Sequence, residues 1–439
     1  MSAPGNTVNI GAARTNAGFL NLPAFERTRL AAARLRSGVF GNLSIKLSTG
    51  EYKENSGTER TGTDITKSAA IVRVEKSSGD THTWTMTKQL KGPPTFGDVQ
   101  PEKAGFLDFL NAEVVLAKTR SPAFQVAPDM DLQRIRSVTD LTESQYEQEL
   151  RDQTVKWYAD AIPHNTITAF LKGATDNALQ PVTNGGRAIN LGRGAGVQVS
   201  PLNAIVRGAS PDGIITGATL AARETNLKAA LANLSASNAN HLISTAALQE
   251  ISEILSTGTI LLDPVDIGGE PTFYCILPSV CRLQLLGAGS AAVDYAKYTA
   301  AWGKNSPLLK MQPLQVGNLV VFFDNILSKY APDVTGSEIV WGKNTTNFQS
   351  WGYKDLTAAQ KGRGIGIILG RRALLEASYK GITYTQDEGP HGTSKEISSY
   401  VKDSMVRAMW VDKSDSAVMP IDQGSLLFGF AYKGITNGN

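Results

Sequence analysis

Along the stretch from Thr81 to Lys88, Thr81, Thr83, Thr85 and Thr87 alternate with His82, Trp84, Met86 and Lys88. A period of two predicts a strand with unlike faces. Ala69 to Val74 and Glu113 to Thr119 are apolar-rich runs of strand length and are expected to pair with it. Between them, Lys91-Gly-Pro-Pro-Thr-Phe-Gly-Asp98 reads as a turn-rich tip. A β projection with one polar face has little to pack on within its own chain, so it is expected to lie on a neighbouring molecule.

The period then changes. Thr142-x-x-Gln145 matches a capping box, and Tyr146, Leu150, Trp157 and Ala161 follow at spacings of four and seven, predicting a long amphipathic helix. Pro163 is expected to kink it or end its first segment, after which Ile167, Phe170 and Leu171 continue to a stop at Gly173. Leu220, Leu227, Leu231 and Leu234 mark a second helix. Leu248, Ile251, Ile254 and Leu255 mark a third, closed by Gly258. Phe273 to Leu277, Leu319 to Phe323 and Ile365 to Leu369 are continuous apolar runs, the pattern of strands covered on both faces. Met405 to Val411 and Ser425 to Tyr432 return to β. The Gly-, Asn- and Pro-rich stretch from Asp176 to Gly217 predicts loops and short strands, and residues 1 to about 65 an extended arm with one helical candidate at Pro23 to Leu35.

Composition narrows the functional classes. The chain has 439 residues, enough for two or three substructures. Charged residues make up 19%, below the roughly 25% usual in soluble domains, which favours extensive contact with other protein. The 43 basic and 40 acidic side chains leave +3, far from the balance of a surface dedicated to a phosphate backbone. Residues 1 to 36 are locally basic, with Arg14, Arg27, Arg29, Arg34 and Arg36 against Glu26 alone. That arm suits a nucleic acid, an acidic neighbour or simply a solvated helix face. Cys275 and Cys281 lie in an apolar stretch and are expected to be reduced core residues. There is no apolar run of 18 residues and no signal-like start, so a soluble protein made in a cytoplasm is expected.

Recognisable chemistry is sparse. His82, His164, His241 and His391 occur singly, with no His-Glu-x-x-His or Cys-x-x-Cys spacing and no Gly-x-Ser-x-Gly elbow. Gly192-Arg-Gly-Ala-Gly196 and Gly362-Arg-Gly-Ile-Gly366 suggest phosphate loops. The dinucleotide pattern fails where the chain has Val197 and Leu369, and no Gly-Lys-Ser/Thr follows. The first cluster reads as a flexible loop and the second as the lead into the Ile365 strand. Asp129 with Asp131, Asp263 with Asp266, and Asp387 with Glu388 lack calcium-loop spacing and read as solvated turns, with a cation at a subunit contact as the alternative. Trp157 and Trp410 read as packing residues. No catalytic residue, metal site or cofactor is expected.

Several ordered segments carry a resemblance. Gly79-Asp-Thr-His-Thr-Trp-Thr85, then Gln133-Arg134, Asp140-Leu141, Leu150, Trp157, Asp160 and Leu171-x-Gly173 resemble the N-terminal half of a tailed-bacteriophage major capsid family, the one associated with phage N-four. Ile368-Leu369-Gly370-Arg-Arg-Ala373, Asp387-Glu388-Gly389 and Val406-Arg-Ala-Met-Trp410 resemble its closing segment. Together they cover about a third of the chain; the middle, from about Asp176 to Thr357, carries almost none of it.

The resemblance implies an α+β fold of the Hong Kong 97-type (HK97-like): N-terminal arm, extended β loop, long spine helix, peripheral and axial domains. On this sequence the arm would be 1–65 and the extended loop 66–125. The spine helix and the first part of the peripheral domain would be 126–216, the axial domain 217–360, and the peripheral closing strands 361–439. The implied function is a non-enzymatic coat protein that forms hexamers and pentamers of an icosahedral head around double-stranded DNA. It would be located in the virion after assembly in the bacterial cytoplasm. DNA would be met non-specifically on the inner face, no membrane is involved, and scaffolding, portal and decoration proteins are candidate partners. Some proteins of this fold cross-link lysine and asparagine side chains; Lys88 or Lys91 near the loop tip would be the lysine candidates, but nothing in the sequence identifies a partner and no such bond is predicted. The competing readings are an accessory virion protein of decoration or tail type, and an α/β enzyme using the glycine clusters for a phosphorylated ligand.

Overall fold

The computed structural model describes residues 70–76, 81–87, 109–120, 124–126, 143–174, 200–209, 213–267, 270–286, 314–335, 339–341, 360–388, 395–412 and 421–433, with Ala33 and Val39. In chain order the first strands are β1 (Ile71–Lys76), β2 (Thr81–Thr87), β3 (Phe109–Val115), β4 (Ala117–Arg120) and β5 (Phe124–Val126). Helix α1 (Glu143–Lys172) follows, then β6 (Ala204–Val206), α2 (Leu220–Ala232) and α3 (Thr245–Ser256). Strands β7 (Val265–Ile267) and β8 (Glu270–Pro278), a short α4 (Arg282–Leu286), β9 (Leu314–Val316), β10 (Leu319–Asp324), β11 (Pro332–Asp333) and β12 (Val340–Trp341) come next. The chain closes with β13 (Arg363–Leu369), β14 (Leu374–Glu388), β15 (Lys395–Arg407), β16 (Val411–Asp412) and β17 (Ser425–Ala431).

The three apolar runs do form one sheet, in the order β6-β17-β13-β8-β10-β9 with β7 added beside β8. Because side chains alternate, each run feeds two cores. Tyr274, Ile276, Phe322, Ile365 and Ile367 face one core with Phe170 of α1 and Leu227 and Leu231 of α2. Phe273, Cys275, Val321, Ile368 and Phe428 face the other with Leu248, Ile251 and Leu255 of α3. Burying each such side chain contributes about 1.5–3 kcal/mol, so coverage of both faces is what makes continuous apolar strands stable. Thr219 caps α2 by accepting from Ala222 N, and Ser244 caps α3 by accepting from Ala247 N. Gly258, at φ 72°, lies just past the end of α3.

A second sheet runs β1-β14-β15-β4, with β5 also on β15. Its long hairpin strands carry a register shift between Tyr379 and Thr383. Helix α1 lies on this sheet: Val155, Tyr158 and Ala159 pack with Ile382 and Val401, and Ala33 joins them. Pro163 neither ends nor divides the helix, which is continuous over 30 residues. Burial on both sides of the proline, at Tyr158 and Ala159 before it and at Ile167, Ala169, Phe170 and Leu171 after it, outweighs the roughly 3 kcal/mol that an interior proline costs. Ala33 is helical, in keeping with the helical candidate at Pro23 to Leu35, whose other residues lie outside the described set.

Three expectations are corrected. The strand at Ala69 to Val74 does not pair with the Thr81 strand: β1 pairs in parallel with β14, Ile71 opposite Leu374, and Arg73 bonds Glu376 at 2.9 Å. Ala70 and Ile71 are fully buried, and burial against a distant strand leaves no local signature. The run Glu113 to Thr119 is two strands, because β3 pairs with β2 and β16 whereas β4 pairs with β15, the chain changing sheets at buried Leu116. The polar-faced strand β2 has a partner core in its own chain, since Trp84 packs against the cluster of Val114, Leu375 and Val406 while Thr83 is exposed. Strands β13 and β17 hydrogen-bond within the seven-stranded sheet, beside β8.

Candidate assembly framework

Buried polar contacts at His164 and Phe170 join the C-terminal half of α1 to other elements. The first is His164, 2% exposed, whose Nδ1 lies 2.6 Å from the Tyr330 hydroxyl just after β10. Burial, helped by the neighbouring Lys329 ammonium, pushes the imidazole down to about 4, so the ring is neutral at pH 7. Next to Tyr330, Asp324 at the end of β10 accepts from Ile326 N and Leu327 N, both at 2.8 Å, and so fixes the turn that presents Tyr330.

The second contact is Arg407, at the end of β15 and fully buried. Its Nη1 donates to the carbonyl of Phe170, in the last turn of α1, and its Nη2 to Ser200 O at 3.0 Å. Its Nε lies 3.4 Å from Asp422 Oδ2. Carbonyls at a helix end have no partner within the helix, so a cation there satisfies orphan acceptors. Asp422 in turn accepts from Gly424 N (3.2 Å), Ser425 N (3.0 Å) and Ser425 Oγ (2.6 Å), setting the start of β17. Burial pulls Arg407 down to about 10 and Asp422 up, each opposed by the other's charge. Every group that reaches the Asp422 carboxyl oxygens here is a donor, an environment that favours the carboxylate.

Backbone contacts crowd around this pair. Arg407 N donates to Gly173 O at 2.9 Å, Ala408 N to Ala373 O at 3.0 Å and Gly370 N to Gly424 O at 2.8 Å. Asn203 Nδ2 donates to Asp422 O at 2.6 Å. A Cβ on Gly424 would lie 2.6 Å from Ala373 Cα, so only glycine lets the two backbones meet.

The residues singled out by sequence are not brought together. His82 lies on β2, His164 is in the core, and His391 is outside the described residues. His241 locks a turn, accepting from Ser235 N at 3.1 Å. The Gly362 cluster leads into β13, where glycine is needed for packing: a Cβ on Gly364 would meet the Phe430 ring at 2.5 Å and one on Gly366 would meet Leu277 at 2.7 Å. The Gly192 cluster, Asp129, Asp131, Lys88, Lys91 and the basic arginines of the arm lie outside the described residues. Asp263 and Asp266 are exposed, and Asp387 and Glu388 close β14. Among the described residues no three His, Cys, Asp or Glu side chains form a group able to hold a metal ion.

Cys275 and Cys281 are free and buried, and burial raises both thiols, Cys281 to about 12. Trp157 packs edge-on to Tyr158 at 4.8 Å, and Trp410 is buried beside Val406. A cavity between β6 and α3, about 150 Å³, holds the Arg207–Glu250 ion pair. It is smaller than the roughly 300 Å³ at which small-molecule sites begin.

Arg407 and Asp422 went unread in the sequence. The available signal was a lone charge in the apolar run Met405-Val-Arg-Ala-Met-Trp410, since a buried charge demands a partner. The identity of that partner is set only by the fold.

No protein-family model matches the chain, and no curated protein matches it. Solved structures do. The capsid of Ralstonia phage GP4 is 17% identical with a TM-score of 0.55, the match covering 85% of this chain and 90% of that one. The Cyanophage Pam1 capsid asymmetric unit is 13% identical with a TM-score of 0.50, covering 81% and 86%. Coverage of this extent is far more than a shared motif. The chain therefore has the Hong Kong 97-type α+β fold of phage capsid proteins.

Proposed function

We propose that the chain is the major capsid protein of a tailed phage, assembling into the hexamers and pentamers of an icosahedral head that encloses double-stranded DNA. The observation that carries this is the capsid fold along nearly the whole length of both chains. Fold alone does not specify function, and the second support is the kind of framework built here. Buried ion pairs and packed glycines serve to hold lobes in a fixed relation, and the small cavity described above offers no convergent set of reactive groups. The role is structural rather than catalytic, in the virion, after assembly in the host cytoplasm.

In this reading α1 is the spine helix and, with the β14–β15 sheet, forms the peripheral domain. The axial domain is built on the seven-stranded sheet and takes in β13 and β17 as well as residues 217–360. The β2–β3 hairpin is the base of the extended loop (66–125), and residues 1–65 are the arm. Loop and arm reach neighbouring subunits, so that many modest contacts add up to a stable shell, the logic of multivalency. Packaged DNA is met non-specifically on the inner face, and scaffolding, portal and decoration proteins are candidate partners.

Negative-stain electron microscopy of the purified chain tests the proposal. Closed shells, tubes, sheets or hexamer-sized rings are expected. A particle-free monomer at all concentrations, even with co-expressed virion proteins, would contradict it.

A further inference from the structure

The chain passes between the β14–β15 sheet and the seven-stranded sheet at three places: from the end of α1 to β6, from β13 to β14 through Gly370–Ala373, and from β15 to β17. Described residues at the ends of all three passages meet at one buried point. Arg407 bonds Phe170 O and Ser200 O on the first passage and faces Asp422 on the third. The second passage is clamped between them by Ala408 N to Ala373 O and by Gly370 N to Gly424 O.

We infer that the Arg407–Asp422 pair fixes the angle between the two sheets and thereby the curvature that each subunit imposes on a shell; the second half of this rests on the capsid reading above. Apolar packing is non-directional and lets two layers slide at small cost. A guanidinium is different, because its planar fork holds its acceptors at set directions. Here the fork is fully buried, so a bond that swings out of line has no water to replace it. Gly424 adds a steric stop, its Cα resting against Ala373 with no side chain between to repack.

Leverage makes the angle matter. A strand of the 13 residues of β15 spans roughly 40 Å, so a turn of about 5° at the junction moves the far end by roughly 3 Å. A contact between subunits made at that far end would be displaced by about the depth of a side-chain interface layer. A population with a loose junction therefore closes shells of more than one size.

The test compares particles formed by the wild-type chain, by Arg407→Met combined with Asp422→Leu, by Arg407→Lys, and by Leu255→Ala. The last lowers stability in the α3 core, away from the junction. Particle diameters are measured by electron microscopy. Expected are one size class for wild type and Leu255→Ala, and a shifted diameter, a second size class or tubes for both junction variants. Should the double variant fail to fold, Arg407→Lys, which keeps the charge but loses the fork, carries the comparison. Junction variants with the wild-type diameter and uniformity overturn the inference. So does Leu255→Ala if it broadens the sizes as much, since loss of stability would then be the cause. A wild-type chain that forms no particles overturns the capsid reading itself, and the two failures are distinguishable.

Discussion

His164 Nδ1 and the Tyr330 hydroxyl lie 2.6 Å apart, across 166 residues of sequence, joining the middle of the long helix to the turn after β10. Burial of His164, with Lys329 nearby, has a pH consequence. The folded imidazole titrates at about 4 against about 6.5 unfolded, so between those values the unfolded chain binds the extra proton. The stabilisation is fully present above pH 6.5 and is lost as pH falls through 4. The loss is of order 3 kcal/mol, from about 1.4 kcal/mol per pH unit. Urea unfolding at pH 7 and pH 4.5 is expected to show this drop in wild type and a much smaller one in His164→Gln. Equal drops in the two proteins would remove His164 as the cause.

Truncating Asp422 should be severe. Asp422→Ala leaves the Arg407 guanidinium buried without its counter-charge and strips the acceptor from Gly424 N, Ser425 N and Ser425 Oγ. A broken buried pair costs about 3–5 kcal/mol, read as a fall in the denaturation midpoint at unchanged m. A change under about 1 kcal/mol would mean that water enters the junction.

Gly366→Ala tests the glycine cluster. Its new methyl would sit 2.7 Å from a Leu277 methyl, and overpacking of this kind costs about 1–3 kcal/mol. Phosphate should produce no thermal shift in either wild type or variant. A phosphate-dependent rise in Tm that Gly366→Ala abolishes would restore the cluster as a ligand loop.

Cys275 and Cys281 should be silent in the folded chain. Both are buried and their thiols are raised, which keeps the thiolate scarce. A chromogenic disulfide reagent is expected to detect no rapidly reacting thiol under native conditions and two per chain in denaturant. A fast native thiol would place one of them at the surface.

What the sequence made legible follows from how local each signal is. The leucine spacings of α2 and α3 and the doubly buried runs of β8, β10 and β13 are short-range patterns, and the structure has each of them, whereas the cap expected at Thr142 lies outside the described residues. The pairing of β1 with β14 was not legible, because the residues it brings together, such as Arg73 and Glu376, are 303 apart in the chain. The same holds for the junction. Arg407 and Asp422 are 15 residues apart in the chain, but the Phe170 and Ser200 carbonyls that complete the site come from more than 200 residues away. The glycines of β13 were read as the lead into a strand, and the reason for them, the Phe430 and Leu277 side chains, lies on neighbouring strands.

Sedimentation velocity of the purified full-length chain over a wide concentration range tests the central claim most directly. The account predicts a discrete, fast-sedimenting particle in equilibrium with monomers or capsomer-sized rings, its fraction rising steeply with concentration as multivalent closure requires. A single species of monomer size at every concentration, in the presence of co-expressed virion proteins as well, would contradict it.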